Sequence, residues 1–271
     1  MLKSTMAISP AATPFAPLLF AGEWKRGLDT AIELGYDAIE ASLRDPQAPA
    51  VQELVKAVHD RGFRVSAIAT GQSFVNDGLS LVSADQGAQV SLRDRMSRFI
   101  DIASQWGAMV IIGGVRGTFV GDSQTYPAQR ARAAEAVRSL AEYARAAGVR
   151  LAVEPINRYE TKFINTVQEA LGFIRDVGAE NLVVLADTFH MNIEESSMVQ
   201  ALQTAGGKLG YLHLSDSNRR AAGQGHINFA ELAAALKHMG YDGYIGAEIL
   251  PIPDSRSAAQ LAIDYYKSLL R

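Results

Sequence analysis

Cysteine is absent from all 271 residues. Its absence excludes disulfide staples, thiolate metal sites and cysteine nucleophiles. A chain of this length needs no staples, because 48% of it is hydrophobic and 20% charged, enough for a sizeable core. A surplus of one charge sign is also missing. The formal net charge is −3, so no basic field points to nucleic acid or an anionic membrane as a partner. Long apolar runs are missing too, and none approaches the ~20 residues of a membrane span. Residues 1–20 carry one lysine and an apolar stretch broken by Pro10, Pro14 and Pro17, a spacing that spoils a signal-peptide helix. A cytoplasmic protein is the expectation. Nucleotide signatures are lacking as well. No GxGxxG or P-loop follows an apolar run, and Gly113-Gly114-Val115-Arg116-Gly117 is glycine-rich without a helix signal behind it.

What the chain does have is an alternation of short apolar runs with amphipathic helical stretches. The runs fall at residues 37–42, 63–70, 109–113, 150–154, 181–187, 210–214 and 244–248, with an eighth, less marked, around 6–10. They are nearly continuous in apolar character, as parallel strands covered on both faces must be. Between them, Met96, Phe99, Ile100, Ala103 and Trp106 share a stripe at helical spacing. Pro127 opens a helix that Gly148 closes, Thr166 with Glu169 and Asn228 with Glu231 have capping-box spacing, and Gly178 and Gly240 follow those helices. No linker or composition shift cuts the chain. The pattern predicts an α/β fold, a (β/α)8 TIM barrel with residues 1–271 as a single domain, over the competing open doubly wound sheet.

In a parallel barrel the active site lies where strands end. Four consecutive runs end in Glu154, Asp187, His213 and Glu248, which are 33, 26 and 35 residues apart, each about one βα unit. One rim would therefore collect all four. Three carboxylates meeting there would repel one another, and a divalent cation removes that conflict. Three oxygen ligands with one imidazole suit Mn2+, Mg2+ or Co2+ better than Zn2+. Singly, each carboxylate reads as a solvated loop acid and His213 as a core histidine; the constellation is what argues for a metal. The flanking loops are dense in donors and acceptors, as a polyhydroxylated sugar requires. His190, past the strand ending at Asp187, is placed to reach a substrate carbonyl or hydroxyl, Glu160 to orient His190 or hold a hydroxyl, and Arg219 to bind a substrate oxygen. Glu40 and Arg116, after the second and fourth runs, are further polar wall candidates. Arg158 reads as a loop brace, His226 as loop packing, and His59 and His238 as exposed helix residues.

Glu154-Pro155-Ile156-Asn157-Arg158-Tyr159-Glu160, the stretch Asp187-Thr188-Phe189-His190-Met191-Asn192-Ile193-Glu194-Glu195 and the segment 223–229 resemble the D-tagatose/D-psicose 3-epimerase family of xylose-isomerase-like barrels. The resemblance is specific over residues 150–250, whereas the first 120 match only as a generic barrel half. It implies a Mn2+-type ion on the positions of Glu154, Asp187, His213 and Glu248. The two glutamates would also serve as an acid/base pair at C3 of a ketose, and Glu160, His190 and Arg219 would contact the sugar near C1 and C2. By the same analogy a homo-oligomer, dimer or tetramer, is expected. The sequence departs from that family where Ile249-Leu250-Pro251 follows Glu248 and along the loop 71–87, which leaves the sugar open. Related barrels leave three alternatives: aldose–ketose isomerisation, a hydroxypyruvate-isomerase-like reaction on the same site, or sugar-phosphate 3-epimerisation. DNA cleavage of the endonuclease IV type would want more histidine ligands and a basic groove. A non-catalytic sugar-binding protein would not need two glutamates flanking a metal.

Overall fold

The computed structural model describes residues 2–13 and 17–269. Among them, eight parallel strands close into a barrel in chain order: β1 (Lys3–Ile8), β2 (Ala38–Ser42), β3 (Val65–Ala69), β4 (Met109–Ile112), β5 (Leu151–Val153), β6 (Leu182–Asp187), β7 (Leu209–His213) and β8 (Tyr244–Ala247). The ring is completed by β1 against β8, in register from Lys3 opposite Tyr244 to Met6 opposite Ala247. That closure excludes the open doubly wound sheet. Helices α1 (Trp24–Leu34), α2 (Pro49–Asp60), α3 (Gln72–Val75), α4 (Gln86–Trp106), α5 (Tyr126–Ala146), α6 (Val167–Val177), α7 (Thr188–Glu194), α8 (Met198–Ala205), α9 (Phe229–His238) and α10 (Ser255–Leu269) fill the connections.

Two apolar layers explain the continuous runs. One faces the helices and holds residues such as Ile39, Ile68, Phe99, Val137, Phe173, Leu212 and Ile263. The other gathers Ala67, Ala69, Met109, Ile111, Ala152, Val183, Leu185 and Tyr211 in the barrel itself. A strand buried on both sides has no polar face to show. Helix ends follow the sequence signals. Thr166 and Glu169 form a complete capping box on α6, Gly178 ends that helix in the left-handed region, and Asn228 accepts from the Glu231 amide at the start of α9. Gly148 follows α5 at a φ of 71°.

The first strand lies earlier than its apolar run suggests, at Lys3–Ile8, because Ser4 and Thr5 are buried polar residues that periodicity does not count. Ser66 takes up Thr5 through a 3.0 Å hydroxyl contact. Two short helices also went unsignalled. One is α3 in the loop after β3, and the other, α7, begins directly at the end of β6. Strand register shifts between Ile39 and Glu40 where β2 meets β3, and between Val184 and Leu185 where β6 meets β7. Such irregularities re-aim side chains, and here they occur on the strands that carry Glu40, Asp187 and His213.

Candidate metal centre and active site

Glu154, Asp187, His213 and Glu248 meet at the C-terminal rim, each at the end of its strand. One ligand-capable atom of each lies within 4.8 Å of the others, and all four residues are buried. His213 Nδ1 faces Glu154 Oε1 and Asp187 Oδ2 at 3.7 Å and Glu248 Oε2 at 3.9 Å. The two oxygens of Asp187 have separate duties. Oδ1 accepts from the Phe189 amide at 2.8 Å, which caps α7, and from the Ser215 hydroxyl at 3.2 Å. Oδ2 has no hydrogen-bond partner, and neither does His213 Nδ1. Buried lone pairs without donors are costly. A cation is the group that satisfies both at once, so the residues present fit a hard-to-borderline divalent ion. Glycine makes the room. A Cβ on Gly113 would stand 2.3 Å from Glu154 Oε2, and one on Gly246 2.9 Å from the His213 ring.

Electrostatics follow from burial at close quarters. Burial raises Glu154 above the usual carboxylate range, against the pull of His213. Burial likewise pushes Glu248 up to about 8 although the charges of His213 and Arg219 oppose it. Asp187 goes the other way: burial would raise it, but His190, His213 and Arg219 outweigh that and hold it below the carboxylate range. His213 is raised, since Glu40, Asp187 and Glu154 overcome its desolvation. His190 falls to about 3, mainly through burial.

A cavity of about 270 Å3 opens onto this cluster, lined by Glu154, Glu160, His190, Arg219 and Glu248 together with apolar Phe74, Val75, Ile111 and Ile156. Arg219 sits at a φ of 59° and donates to Glu248 Oε2 at 2.7 Å, with its guanidinium 4.6 Å over the Phe189 ring. His190 is on helix α7 rather than in a loop. Its Nδ1 meets the Asn157 side-chain amide at 2.9 Å and the Asn157 backbone N–H at 3.4 Å. Both partners are donors, because the Asn157 oxygen is occupied by the Tyr159 amide and its nitrogen also donates to Glu160 Oε1 at 2.8 Å. His190 Nδ1 is therefore an acceptor, and the proton of the neutral ring is on Nε2, 3.8 Å from Asp187 Oδ2. Glu160 thus reaches His190 only through Asn157, a residue the motif contains but sequence reasoning gave no role.

The remaining candidates separate cleanly. Arg116 lines the cavity, but its donors go to the carbonyls of Gly113, Phe163 and Ile164, so it clamps the loop after β5; burial lowers it to about 10. Glu40 is not a wall residue; it is fully buried, with Oε2 2.8 Å from His213 Nε2. Arg158 braces Glu194 through a fork at 2.8–3.1 Å. His226 packs on the Ser217 hydroxyl, and His59 and His238 are exposed on α2 and α9. No helix of the described residues is long and apolar enough to cross a membrane.

Comparison with known proteins agrees with this geometry. The family described as xylose isomerase-like TIM barrel matches residues 28–269. An L-ribulose 3-epimerase of Mesorhizobium japonicum is 35% identical over 221 residues, 81% of this chain and 73% of that protein. A D-psicose 3-epimerase of Enterocloster bolteae is 32% identical, covering 82% and 75%. The crystal structure of D-psicose 3-epimerase with D-tagatose from Clostridium cellulolyticum H10 superposes with a TM-score of 0.80 at 27% identity over 100% of both chains.

Proposed function

The chain belongs to the xylose isomerase-like TIM barrel family, and we propose that it is a divalent-metal-dependent ketose 3-epimerase. It is an enzyme of the isomerase class, as its curated relatives are. One observation carries the finer reading: two buried glutamates, from β5 and β8, enter a single four-residue cluster at the floor of a sugar-sized cavity. Glu154, Asp187, His213 and Glu248 would hold the ion, with Mn2+ the expected choice. Bound there, a divalent cation supplies positive charge against the charge that develops on a ketose when its C3 proton leaves.

The protein's own residues do the rest. One of Glu154 and Glu248 takes the C3 proton, and the other returns one from the opposite face, which inverts the centre. His190, neutral with its proton on Nε2, donates to the substrate's carbonyl oxygen. Arg219 fixes the O1–O2 end from its stack on Phe189, and Glu160 accepts from a terminal hydroxyl while it holds Asn157. An unphosphorylated sugar suits the cavity, because Arg116 spends its donors on backbone carbonyls and Arg219 is paired with Glu248.

The test is E154Q and E248Q, each loaded with Mn2+ and offered a panel of ketoses in deuterated water. Each variant should lose about 10²–10⁴-fold in turnover, and the wild type should place deuterium at C3. Near wild-type turnover in either variant overturns the two-base scheme. Label at C1 or C2 instead of C3 moves the reading to aldose–ketose isomerisation.

A further inference from the structure

We propose that Glu40 is a positioning residue that decides which nitrogen of His213 carries the proton, and so keeps the nitrogen facing the four-residue cluster free. The inference rests on the reading of that cluster as a metal site. An imidazole can ligate only through an unprotonated nitrogen. In His213 the nitrogen aimed at the cluster is Nδ1, and three carboxylate oxygens face it at 3.7–3.9 Å. Left to those three acids, the ring would carry its proton on Nδ1, the wrong place for a ligand. Glu40 supplies the competing acceptor. Its Oε2 lies 2.8 Å from Nε2, nearer than any acid lies to Nδ1. A carboxylate accepts and does not donate, so the bond fixes the proton on Nε2 and leaves the Nδ1 lone pair open.

The surroundings hold the ring in that pose. Tyr211 meets it edge-on, with centroids 5.5 Å apart at 84°. Gly246 admits it closely, since a Cβ there would stand 2.9 Å from His213 Cδ2. Glu40 itself comes from β2, where the register with β3 shifts at the bond before it. A fully buried acid in a barrel strand is costly unless it has a task of this kind.

Two conservative variants separate reach from charge. E40Q keeps the reach and an acceptor oxygen but loses the charge; E40D keeps the charge and is one methylene too short. Mn2+ affinity is measured by calorimetry on metal-free protein, with metal-free thermal midpoints and the visible spectrum of the Co2+ form recorded alongside. E40D should lose about 10–100-fold in Mn2+ affinity and alter the Co2+ bands, while E40Q stays close to wild type in both. Wild-type affinity in E40D, or an equal loss in E40Q, overturns the proposal. The 15N spectrum of Zn2+-loaded, histidine-labelled wild type reads the His213 proton without any variant, and a proton on Nδ1 is equally fatal. A wild type that takes up no Mn2+ overturns the metal reading, and this proposal with it.

Discussion

Residues at this site work in relays, and the relays decide what each side chain can do. Asn157 is the clearest example. It links Glu160 to His190, and its two N–H groups on Nδ1 keep the imidazole proton on Nε2. N157L removes the side-chain donor and leaves Nδ1 only the longer backbone N–H contact at 3.4 Å. Activity should fall on the order of 10²-fold, the usual penalty for a misplaced group near the chemistry, while Mn2+ affinity stays at the wild-type value. A parallel loss of metal affinity would show that Asn157 merely supports the fold there. The four strand-end residues were legible in the sequence because one βα period separates each from the next. Asn157 and Glu40 were not legible in their roles. The partner of Asn157 is 33 positions away and that of Glu40 is 173 away, distances at which only the folded barrel creates the contact.

Elements set how tightly the cluster is drawn. The turn Gly114–Arg116 after β4 packs against α3 and holds the loop after β5 through Arg116, and Gly113 at its start leaves no space for a methyl group beside Glu154. A Cβ there would stand 2.3 Å from Glu154 Oε2 and, besides that carboxyl group, meets only Ile111 at an ordinary 3.7 Å. G113A should therefore push that carboxylate aside. We expect at least about a tenfold loss of Mn2+ affinity in the folded variant. An unchanged affinity would mean that Glu154 does not hold the ion. Strands were the easiest elements to foresee, since burial on both faces leaves continuous apolar runs. Helices α3 and α7 escaped notice because four and seven residues are too few to show a 3.6-residue period. Helix α7 is instead specified by Asp187, whose Oδ1 caps it, a double use that no spacing rule reveals.

Across the whole molecule, the cluster ties stability to pH and to metal. In metal-free protein Glu248 ionises near 8 instead of its ordinary 4.5. The folded state thus keeps a proton that the unfolded chain releases, so this contribution is full below the ordinary value and is lost as pH rises through about 8. His213, raised as well, has the same sign. His190 and Asp187, both lowered, lose their contributions only on acidification and are constant above neutrality. Between pH 7 and 8.5 the metal-free protein should therefore lose stability, by at most about 1.4 kcal/mol per pH unit for each group. Calorimetric thermal midpoints check this, and a rise over that interval would contradict it. Mn2+ at a hundred times its dissociation constant should add about 2.7 kcal/mol and flatten the decline, because the same protons have already left. The closed sheet gives this a temporal side. Glu40 stands on the second strand, His213 on the seventh and Glu248 just past the eighth, so no stretch of chain short of nearly the full ring contains the set. While the polypeptide is still being synthesised, the cluster lacks Glu248 until the eighth strand has been made. The four-residue cluster is complete only once the last strand has docked against the first, so uptake of a cation that needs all four side chains would report that the barrel has closed.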